Sequence, residues 1–266
     1  MIFDTHAHYT ATAFNSHRED LLSSLEGDGV CGVIDCGTDY ITSTKSLELA
    51  HKYKYIYTAA GIHPESLIDE EASTRSVYKG DWQRELADIE ALLQDERCVA
   101  VGECGLDYHW DIPKQAQTEL FIAHIKLAIK YKMPILIHDR EAHADMYKIL
   151  SQYKPRGILH CFSGSAEDAL RLVNDGMYIG FGGALTFKNA RRAVNAALAV
   201  PLNRIVLETD CPYMAPEPLR GQENNSAYIK YVADKLADIK NIKAQEVLQV
   251  TEQNARDLFL SGERYV

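Results

Sequence analysis

The chain has 266 residues, of which 46% are hydrophobic and 25% charged, so it can bury a globular core and lacks the composition of a disordered protein. Its formal net charge of -10 excludes nucleic-acid binding through a broad basic surface, and an anionic substrate would need locally bound cations. No apolar run approaches a membrane span, and the six cysteines are scattered without a CxxC pair or a preceding signal segment, which predicts a cytoplasmic protein with reduced thiols.

Eight short runs rich in β-branched and apolar residues follow one another along the chain, and a stretch with helical spacing follows each run. In chain order the runs occupy 1–9, 30–37, 55–63, 98–107, 133–139, 157–164, 177–183 and 204–210. This alternation predicts a parallel sheet, and its eightfold repeat favours a (β/α)8 TIM barrel over an open doubly wound sheet. From position 227 onwards the pattern predicts two extra C-terminal helices. We expect residues 1–266 to form a single domain.

Polar residues interrupt these runs near their carboxyl ends. His6 and His8 lie two positions apart on the first predicted strand, so both imidazoles face the same side. The later strands contribute Glu103, His138, His160 and Asp210. Because the carboxyl ends of barrel strands converge on one mouth, we expect these six side chains to be neighbours despite their distance in sequence.

Cysteines support this orientation. Cys104, Cys161 and Cys211 directly follow three of the candidate residues. If strand alternation persists there, the candidates face the barrel axis, while the thiols face the helices as packing groups.

Four imidazoles and two carboxylates exceed what one tetrahedral ion with an open position needs. Two divalent ions with a bridging carboxylate would use the whole set, and such ions generate hydroxide near neutral pH. Zinc, magnesium or manganese are the candidates, although imidazole ligands suit magnesium less well. A single histidine at a strand end is more often structural, so the joint placement of all six carries the prediction of metal-assisted hydrolysis. His63, in "GIHP" at the end of the third run, is expected to contact phosphate or to act as an outer ligand.

These residues lie in motifs that resemble the TatD-related metal-dependent deoxyribonucleases, a branch of the amidohydrolase-like barrels. The motifs occur in order as "FDTHAHY", "GIHPE", "VGECGLDYHW", "PILIHDR", "GILHCFSGS", "IGFGG", "ETDCPYMAP" and "TEQNARDLF". The resemblance runs nearly end to end. It implies a (β/α)8 barrel whose divalent-metal site hydrolyses nucleic-acid phosphodiesters, commonly from a 3′ end.

The resemblance also implies how the ligands divide between two ions. One ion would take His6, His8 and Asp210, the other would take His138 and His160, and Glu103 would bridge them. One segment departs from the family pattern, since "RGQENNSAY" has Asn225 and Ser226 where the family usually has Glu and Pro. We expect this loop to border the substrate, so the departure affects substrate preference rather than the metal site.

Catalytic roles follow from these positions. Asp210 is expected to bind metal and to accept a proton from the attacking water, with the bridging Glu103 as the second catalytic carboxylate. Glu208 has the same strand parity one layer deeper, and we expect it to support the ligands or hold an additional weak metal; a polar core residue is the alternative. Asp4 is expected to provide supporting hydrogen bonds.

Substrate contacts are expected on the loops of the same face. Arg140 and Arg220 are candidates for bidentate phosphate contacts, and the alternative for each is a solvated loop arginine. Tyr108 and Trp110 are candidates for stacking on a terminal base, with a structural cover of the mouth as the alternative.

Together these features predict a 3′–5′ exodeoxyribonuclease that acts on single-stranded DNA or short nucleic-acid ends by attack of a metal-bound hydroxide. No membrane association and no obligatory protein partner are expected. One alternative is a hydrolase of the same barrel that cleaves amides, lactones or small phosphoesters. A non-catalytic metal-binding or nucleic-acid-binding barrel is another, and the full ligand set argues against it.

Overall fold

The computed structural model describes residues 1–261, in which eight parallel strands form one sheet in the chain order β1 to β8. The strands are β1 (Ile2–Ala7), β2 (Val30–Cys36), β3 (Ile56–Ala60), β4 (Cys98–Asp107), β5 (Ile135–Arg140), β6 (Gly157–Leu159), β7 (Tyr178–Phe181) and β8 (Ile205–Leu207). Each strand falls on one of the predicted runs. Only β5 extends one residue beyond its run. The predicted (β/α)8 fold class is confirmed.

Helices separate the strands and follow the last one. They are α1 (Arg18–Ser24), α2 (Tyr40–Lys52), α3 (Ser73–Ser76), α4 (Trp82–Leu92), α5 (Lys114–Lys130), α6 (His143–Tyr153), α7 (Ala166–Asn174), α8 (Arg191–Ala199), α9 (Ile229–Lys240) and α10 (Ala244–Phe259). The last two are the predicted extra C-terminal helices. None of the helices within residues 1–261 is both long enough and apolar enough to cross a membrane.

Local sequence explains where several helices begin and end. Asp39 accepts a hydrogen bond from the backbone N–H of Thr42 (2.7 Å), and the two residues form a capping box at the start of α2. Ser165 caps α7 in the same way through the backbone N–H of Asp168 (3.1 Å). Asn241 ends α9 in the left-handed conformation that asparagine tolerates well.

Contacts divide the described chain into two compact units. The first contains Met1–Asp35 and His160–Leu260, and therefore β1, β7, β8 and most of β2. The second contains Cys36–Leu159 and therefore β3 to β6. The single domain predicted over residues 1–266 stays a prediction, and residues 262–266 of that range lie outside the described chain.

In the first unit, the segment that follows β8 pairs with β1. Ala7 and Cys211 form a parallel bridge. The backbone N–H of Asp210 donates to the carbonyl of His6 (2.9 Å), and the backbone N–H of His8 donates to the carbonyl of Cys211 (2.9 Å). The carboxyl ends of the first and last strands are therefore neighbours.

In the second unit, β4 approaches β5 closely at His138. Gly105 is the ladder partner of His138. Its φ of +151° lies in a region that favours glycine, and a Cβ atom there would overlap the backbone carbonyl of His138. Glycine at this position allows the spacing that holds the His138 backbone beside β4.

Replacing Gly105 with Ala is expected to lower the free energy of unfolding by about 2–4 kcal/mol, because the added methyl group collides with backbone and the φ angle is strained. Gly176→Ala is the matched control, since Gly176 also has a positive φ of +100° but no heavy atom lies within 4 Å of an added Cβ. The control should lose only about 1–2 kcal/mol of conformational strain. Thermal and urea unfolding measure both losses, and equal losses would contradict the close approach.

Candidate metal centre

Three predicted ligands converge in the first unit, at the junction of β1 with the segment after β8. The Nε2 atoms of His6 and His8 lie 3.1 Å apart. Asp210 Oδ1 lies 3.3 Å from Nε2 of His8 and 3.8 Å from Nε2 of His6. His6 is fully buried, whereas the side chains of His8 and Asp210 are 12% and 21% exposed. Two imidazoles and a carboxylate therefore point at one partly open position.

His160 and Glu208 extend this group on the buried side. The rings of His6 and His160 stack with centroids 4.0 Å apart and an angle of 8° between their planes. Glu208 Oε1 lies 3.9 Å from Nδ1 of His160 and accepts the backbone N–H of Cys161. Ligand atoms of His6, His160 and Glu208 all lie within 4.8 Å of one another. The structure thus places Glu208, a predicted supporting residue, directly among the ligand candidates.

Glu208 supplies the strongest indication that a cation belongs here. Its side chain is fully buried, and no residue of the described chain donates a hydrogen bond to Oε2. Burial raises the pKa of Glu208 to about 8, against the opposing charge of His160. A buried carboxylate oxygen without a donor, next to two imidazoles, fits a divalent cation well.

Glycines of the "IGFGG" motif make room for this carboxylate. A Cβ atom on Gly180 would lie 2.5 Å from Glu208 Oε2, and one on Gly182 would lie 3.4 Å from Glu208 Cγ. The sequence analysis assigned no role to these two positions. Their function becomes visible only once β7 and β8 are paired, because Gly180 is the ladder partner of Val206.

Strand alternation, the predicted reason for placing His160 and Asp210, does not extend to either residue. β6 ends at Leu159 and β8 ends at Leu207. Cys161 and Asp210 themselves adopt positive φ angles of 44° and 58°. Non-strand backbone therefore aims these ligand candidates, and both Asp210 and the residue after His160 lie in the left-handed region that most residues avoid.

Asp4 accepts hydrogen bonds from β1 and from the segment after β8. Its Oδ1 accepts the backbone N–H groups of His6 (3.2 Å) and Thr209 (3.0 Å). Its Oδ2 accepts the hydroxyl groups of Thr209 (2.6 Å) and Ser226 (2.7 Å). Burial raises the pKa of Asp4 to about 6 although these hydrogen bonds favour the ionised form. The carboxylate joins the ligand-bearing part of β1 to the segment after β8.

Ser226, where the family usually has proline, is part of the same network. It is fully buried, and its backbone N–H donates to the hydroxyl oxygen of Tyr9 (2.9 Å). The hydroxyl groups of Ser226 and Tyr9 are 2.8 Å apart. Asn225 accepts the backbone N–H of Ala227 (3.0 Å) and caps the short helical turn that follows. The contacts of the departing residues therefore support β1.

A second group of ligand candidates converges in the other unit. Glu103 Oε1 lies 3.2 Å from Nδ1 of His138 and 3.9 Å from Nε2 of His63. The rings of His63 and His138 meet edge to face, with centroids 4.4 Å apart. Ligand atoms of the three residues lie within 4.8 Å of one another. His63, predicted as a phosphate contact or outer ligand, is thus placed beside two predicted ligands.

Asp107 completes this second group and was missed by the sequence analysis. Its Oδ2 lies 3.1 Å from Nε2 of His138, opposite the nitrogen that faces Glu103. Burial lowers the pKa of His138, but the hydrogen bonds to Asp107 and Glu103 outweigh it and raise the pKa to about 9. Burial alone would raise the pKa of Asp107. The hydrogen bond and the positive charge of His138 outweigh burial and hold this pKa below its usual value. A signal existed, because Glu103, Gly105 and Asp107 share one parity on the fourth predicted strand.

The predicted substrate residues of the second unit lie at the end of β4 and β5. Arg140 is exposed. Burial raises the pKa of Glu65, and the positive charges of His138 and Arg140 oppose that rise. Tyr108 donates a hydrogen bond from its hydroxyl to Asp145 (2.8 Å). Trp110 is 42% exposed. Tyr108 and Trp110 therefore follow β4, which carries Glu103, and Arg140 ends β5, which carries His138. The substrate contacts of all three residues stay predictions.

Comparison with known proteins identifies the family. The sequence profile described as "TatD related DNase" matches residues 3–260. The chain belongs to the TatD family of metal-dependent hydrolases. It is 38% identical to the uncharacterized metal-dependent hydrolase YabD of Bacillus subtilis, over 97% of this chain and 99% of that protein. It is 30% identical to the 3′-5′ ssDNA/RNA exonuclease TatD of Salmonella typhimurium, over 97% and 98% of the two chains.

The structure is similar to that of YJJV, a TatD homologue from Escherichia coli, with a TM-score of 0.86 and 29% sequence identity over 97% of both chains. The resemblance predicted from the motifs is confirmed, and so is the predicted enzyme class. For a TatD-family hydrolase, two groups of imidazoles and carboxylates at strand ends are a chemically suitable donor set for divalent metal.

Metal affinity of this TatD-family protein is expected to rise with pH below about 9. His138 is protonated in that range and must lose its proton before it can ligate metal, so affinity should rise by up to about tenfold per pH unit for each proton released. Asp107→Asn removes the group that holds this proton and should flatten the dependence. Titration against a chelator at several pH values measures the slope, with the exposed Asp111→Asn as the control. An affinity that does not change with pH would contradict the protonated His138.

Introducing the family proline, Ser226→Pro, is expected to lower the free energy of unfolding by about 2–4 kcal/mol. Proline removes both the backbone donor to Tyr9 and the hydroxyl that binds Asp4. Ser226→Ala keeps the backbone N–H and should cost about 1–2 kcal/mol. The exposed Ser23→Ala is the control, and thermal unfolding gives all three values. A stabilised proline variant would show that these contacts are dispensable.

Proposed function

We propose that this TatD-family hydrolase is a 3′–5′ exonuclease that cleaves phosphodiester bonds at the ends of single-stranded nucleic acid. The observation that carries the proposal is the pair of His–carboxylate groups at the carboxyl ends of β1 and of β4 and β5, each with ligand atoms close enough to share an ion. The name of the Salmonella typhimurium relative, a 3′-5′ ssDNA/RNA exonuclease, supports the choice of substrate.

The donor set supports a site for two divalent ions. His6, His8 and Asp210 would hold one ion. The assignment of His138 and His160 to the other ion, and of Glu103 as the bridge, stays a prediction from the sequence. Imidazole-rich ligands favour zinc or manganese over magnesium. When bound, such ions acidify water and neutralise phosphate charge.

Asp210 is the proposed proton acceptor. Burial raises its pKa, but the hydrogen bond and charge of His8, with the charges of His160 and His6, outweigh burial and hold the pKa below its usual value. The carboxylate is therefore ionised at neutral pH and can accept a proton from an attacking water molecule. Its 21% exposure leaves it accessible to that water.

Other residues of the chain would position the substrate. The exposed guanidinium of Arg140 would bind a phosphate in a bidentate manner, and His63 would contact the same phosphate from beside Glu103. Tyr108 and Trp110, after β4, would stack on the terminal base. Because the net charge is -10, binding at the ends of a nucleic-acid strand is favoured over binding along a long duplex.

A cytoplasmic location and activity without an obligatory protein partner also belong to this proposal. All six cysteines are free, which supports a reducing compartment.

The test combines a panel of zinc, manganese and magnesium with end-labelled single-stranded DNA and RNA, and with small ester and amide substrates. We expect metal-dependent shortening from the 3′ end. Asp210→Asn should lower turnover by about 10²–10⁴-fold. His138→Ala should lower both turnover and metal content, while the exposed His51→Ala should change neither.

Each contrary outcome points to a specific alternative. Metal-dependent turnover confined to small esters or amides would replace the exonuclease with the alternative hydrolase. Full metal content without turnover of any substrate would indicate a binding protein. Shortening from the 5′ end would overturn the proposed polarity alone.

A further inference from the structure

A cleft of about 400 Å³ lies in the first unit, away from the ligand groups in sequence. Its walls come from the segment after β7, the first two turns of α8, and α9. The lining residues are Thr186, Phe187, Lys188, Ala190, Arg191, Val194, Asn195 and Lys235.

The cleft is cationic in a protein that is strongly acidic. Lys188, Arg191 and Lys235 line it, and none of its lining residues carries a carboxylate. The first turn of α8 has no acidic residue that would neutralise Arg191 from within the helix. Three positive charges around one concavity, against a chain charge of -10, indicate a place for an anion.

An aromatic ring lies beside these charges. Phe187 lines the cleft, and the guanidinium carbon of Arg220 lies 4.4 Å from the centre of its ring. Arg220, predicted as a phosphate contact, is thus a fourth cation at the edge of the cleft. Cations interleaved with an aromatic ring are the combination with which proteins hold single-stranded nucleic acid.

Hydrogen bonds connect the cleft to the metal-ligand candidates of the same unit. The backbone N–H of Tyr213 donates to the carbonyl of Asp210 (2.9 Å). Further along the same segment, the backbone N–H of Glu217 donates to the hydroxyl of Thr186, which lines the cleft (2.8 Å). The segment after β8 therefore connects Asp210 with Thr186 at the cleft through these two hydrogen bonds.

We propose that this cleft is a second phosphate subsite, which binds the backbone of a single-stranded nucleic acid several nucleotides away from the terminal bond. The inference rests on the proposed exonuclease function and names where the rest of the strand is held. Its residues position substrate and do not touch the reacting atoms. The subsite gives an acidic protein a local means of holding a polyanion.

The binding test uses the full chain and a labelled single strand of about twelve nucleotides with phosphorothioate linkages that resist cleavage. Fluorescence anisotropy is measured over a series of salt concentrations, with and without EDTA. The Arg191→Gln and Lys235→Gln double variant should bind about tenfold more weakly. Its slope of log affinity against log salt should fall by about 1.4, which is roughly 0.7 for each lost phosphate contact.

Matched controls lie on the same helices. Arg192→Gln removes the exposed neighbour of Arg191 on α8, and Lys230→Gln removes an exposed lysine of α9; neither residue lines the cleft. The control double variant has the same net charge as the test variant and should bind like the unmodified protein. Equal weakening in the two double variants, or an unchanged salt slope in the test variant, would overturn the subsite.

Two further measurements separate this inference from the proposed function. For cleavable strands the test variant should raise KM about tenfold and leave kcat unchanged, and for a dinucleotide it should change neither. Cleft-dependent strand binding that persists in EDTA while no strand is ever cleaved would support the subsite and overturn the exonuclease. Cleft-dependent binding of pyrophosphate with unaffected strand binding would overturn the subsite as a strand contact.

Discussion

The candidate metal centre of the first unit depends on one junction, where β1 meets the segment that follows β8. Asp4 and Thr209 are 205 positions apart, yet two hydrogen bonds join them, from the backbone N–H and the hydroxyl of Thr209. His6 lies two residues after Asp4, and Asp210 directly follows Thr209. A buried network therefore fixes the spacing of the ligands, and the ligands need no rigidity of their own.

The two ligand groups differ in which form of a titratable residue they favour, neutral in the first unit and charged in the second. In the first unit, burial makes Glu208 favour its proton, and its second oxygen lacks a donor within the described chain. In the second unit, Asp107 and Glu103 make His138 favour the charged imidazolium. A divalent cation would replace a proton in both places. In the first unit it would bind the Glu208 carboxylate, and in the second it would neutralise Asp107 and Glu103 as the His138 imidazolium does. The raised pKa of Glu208 and the raised pKa of His138 therefore both mark places where a bound divalent cation would be stabilised.

The sequence was sufficient for the fold class and for most ligand candidates, because both follow from short-range periodicity. Alternation placed His6 and His8 on one face, and the eight runs located the strands. Alternation failed beyond the strand ends, where Asp210 takes a left-handed backbone that depends on contacts with β1. The supporting contacts of Ser226 could not be predicted, since its partners Asp4 and Tyr9 are more than 200 positions away. The cationic cleft could not be predicted from the sequence either, because no local pattern connects its residues on α8 with its residue on α9.

The junction of β1 with the chain after β8 also determines when the candidate metal centre can form during synthesis. During synthesis His6 and His8 emerge about 200 residues before Asp210, which is roughly 10–40 s earlier at ordinary rates. Until then the two histidines lack Asp210 and the hydrogen bonds of Thr209 that fix their spacing. The nascent chain therefore lacks the complete ligand group of the first unit until Asp210 has emerged, and the strand order delays assembly of this candidate metal centre.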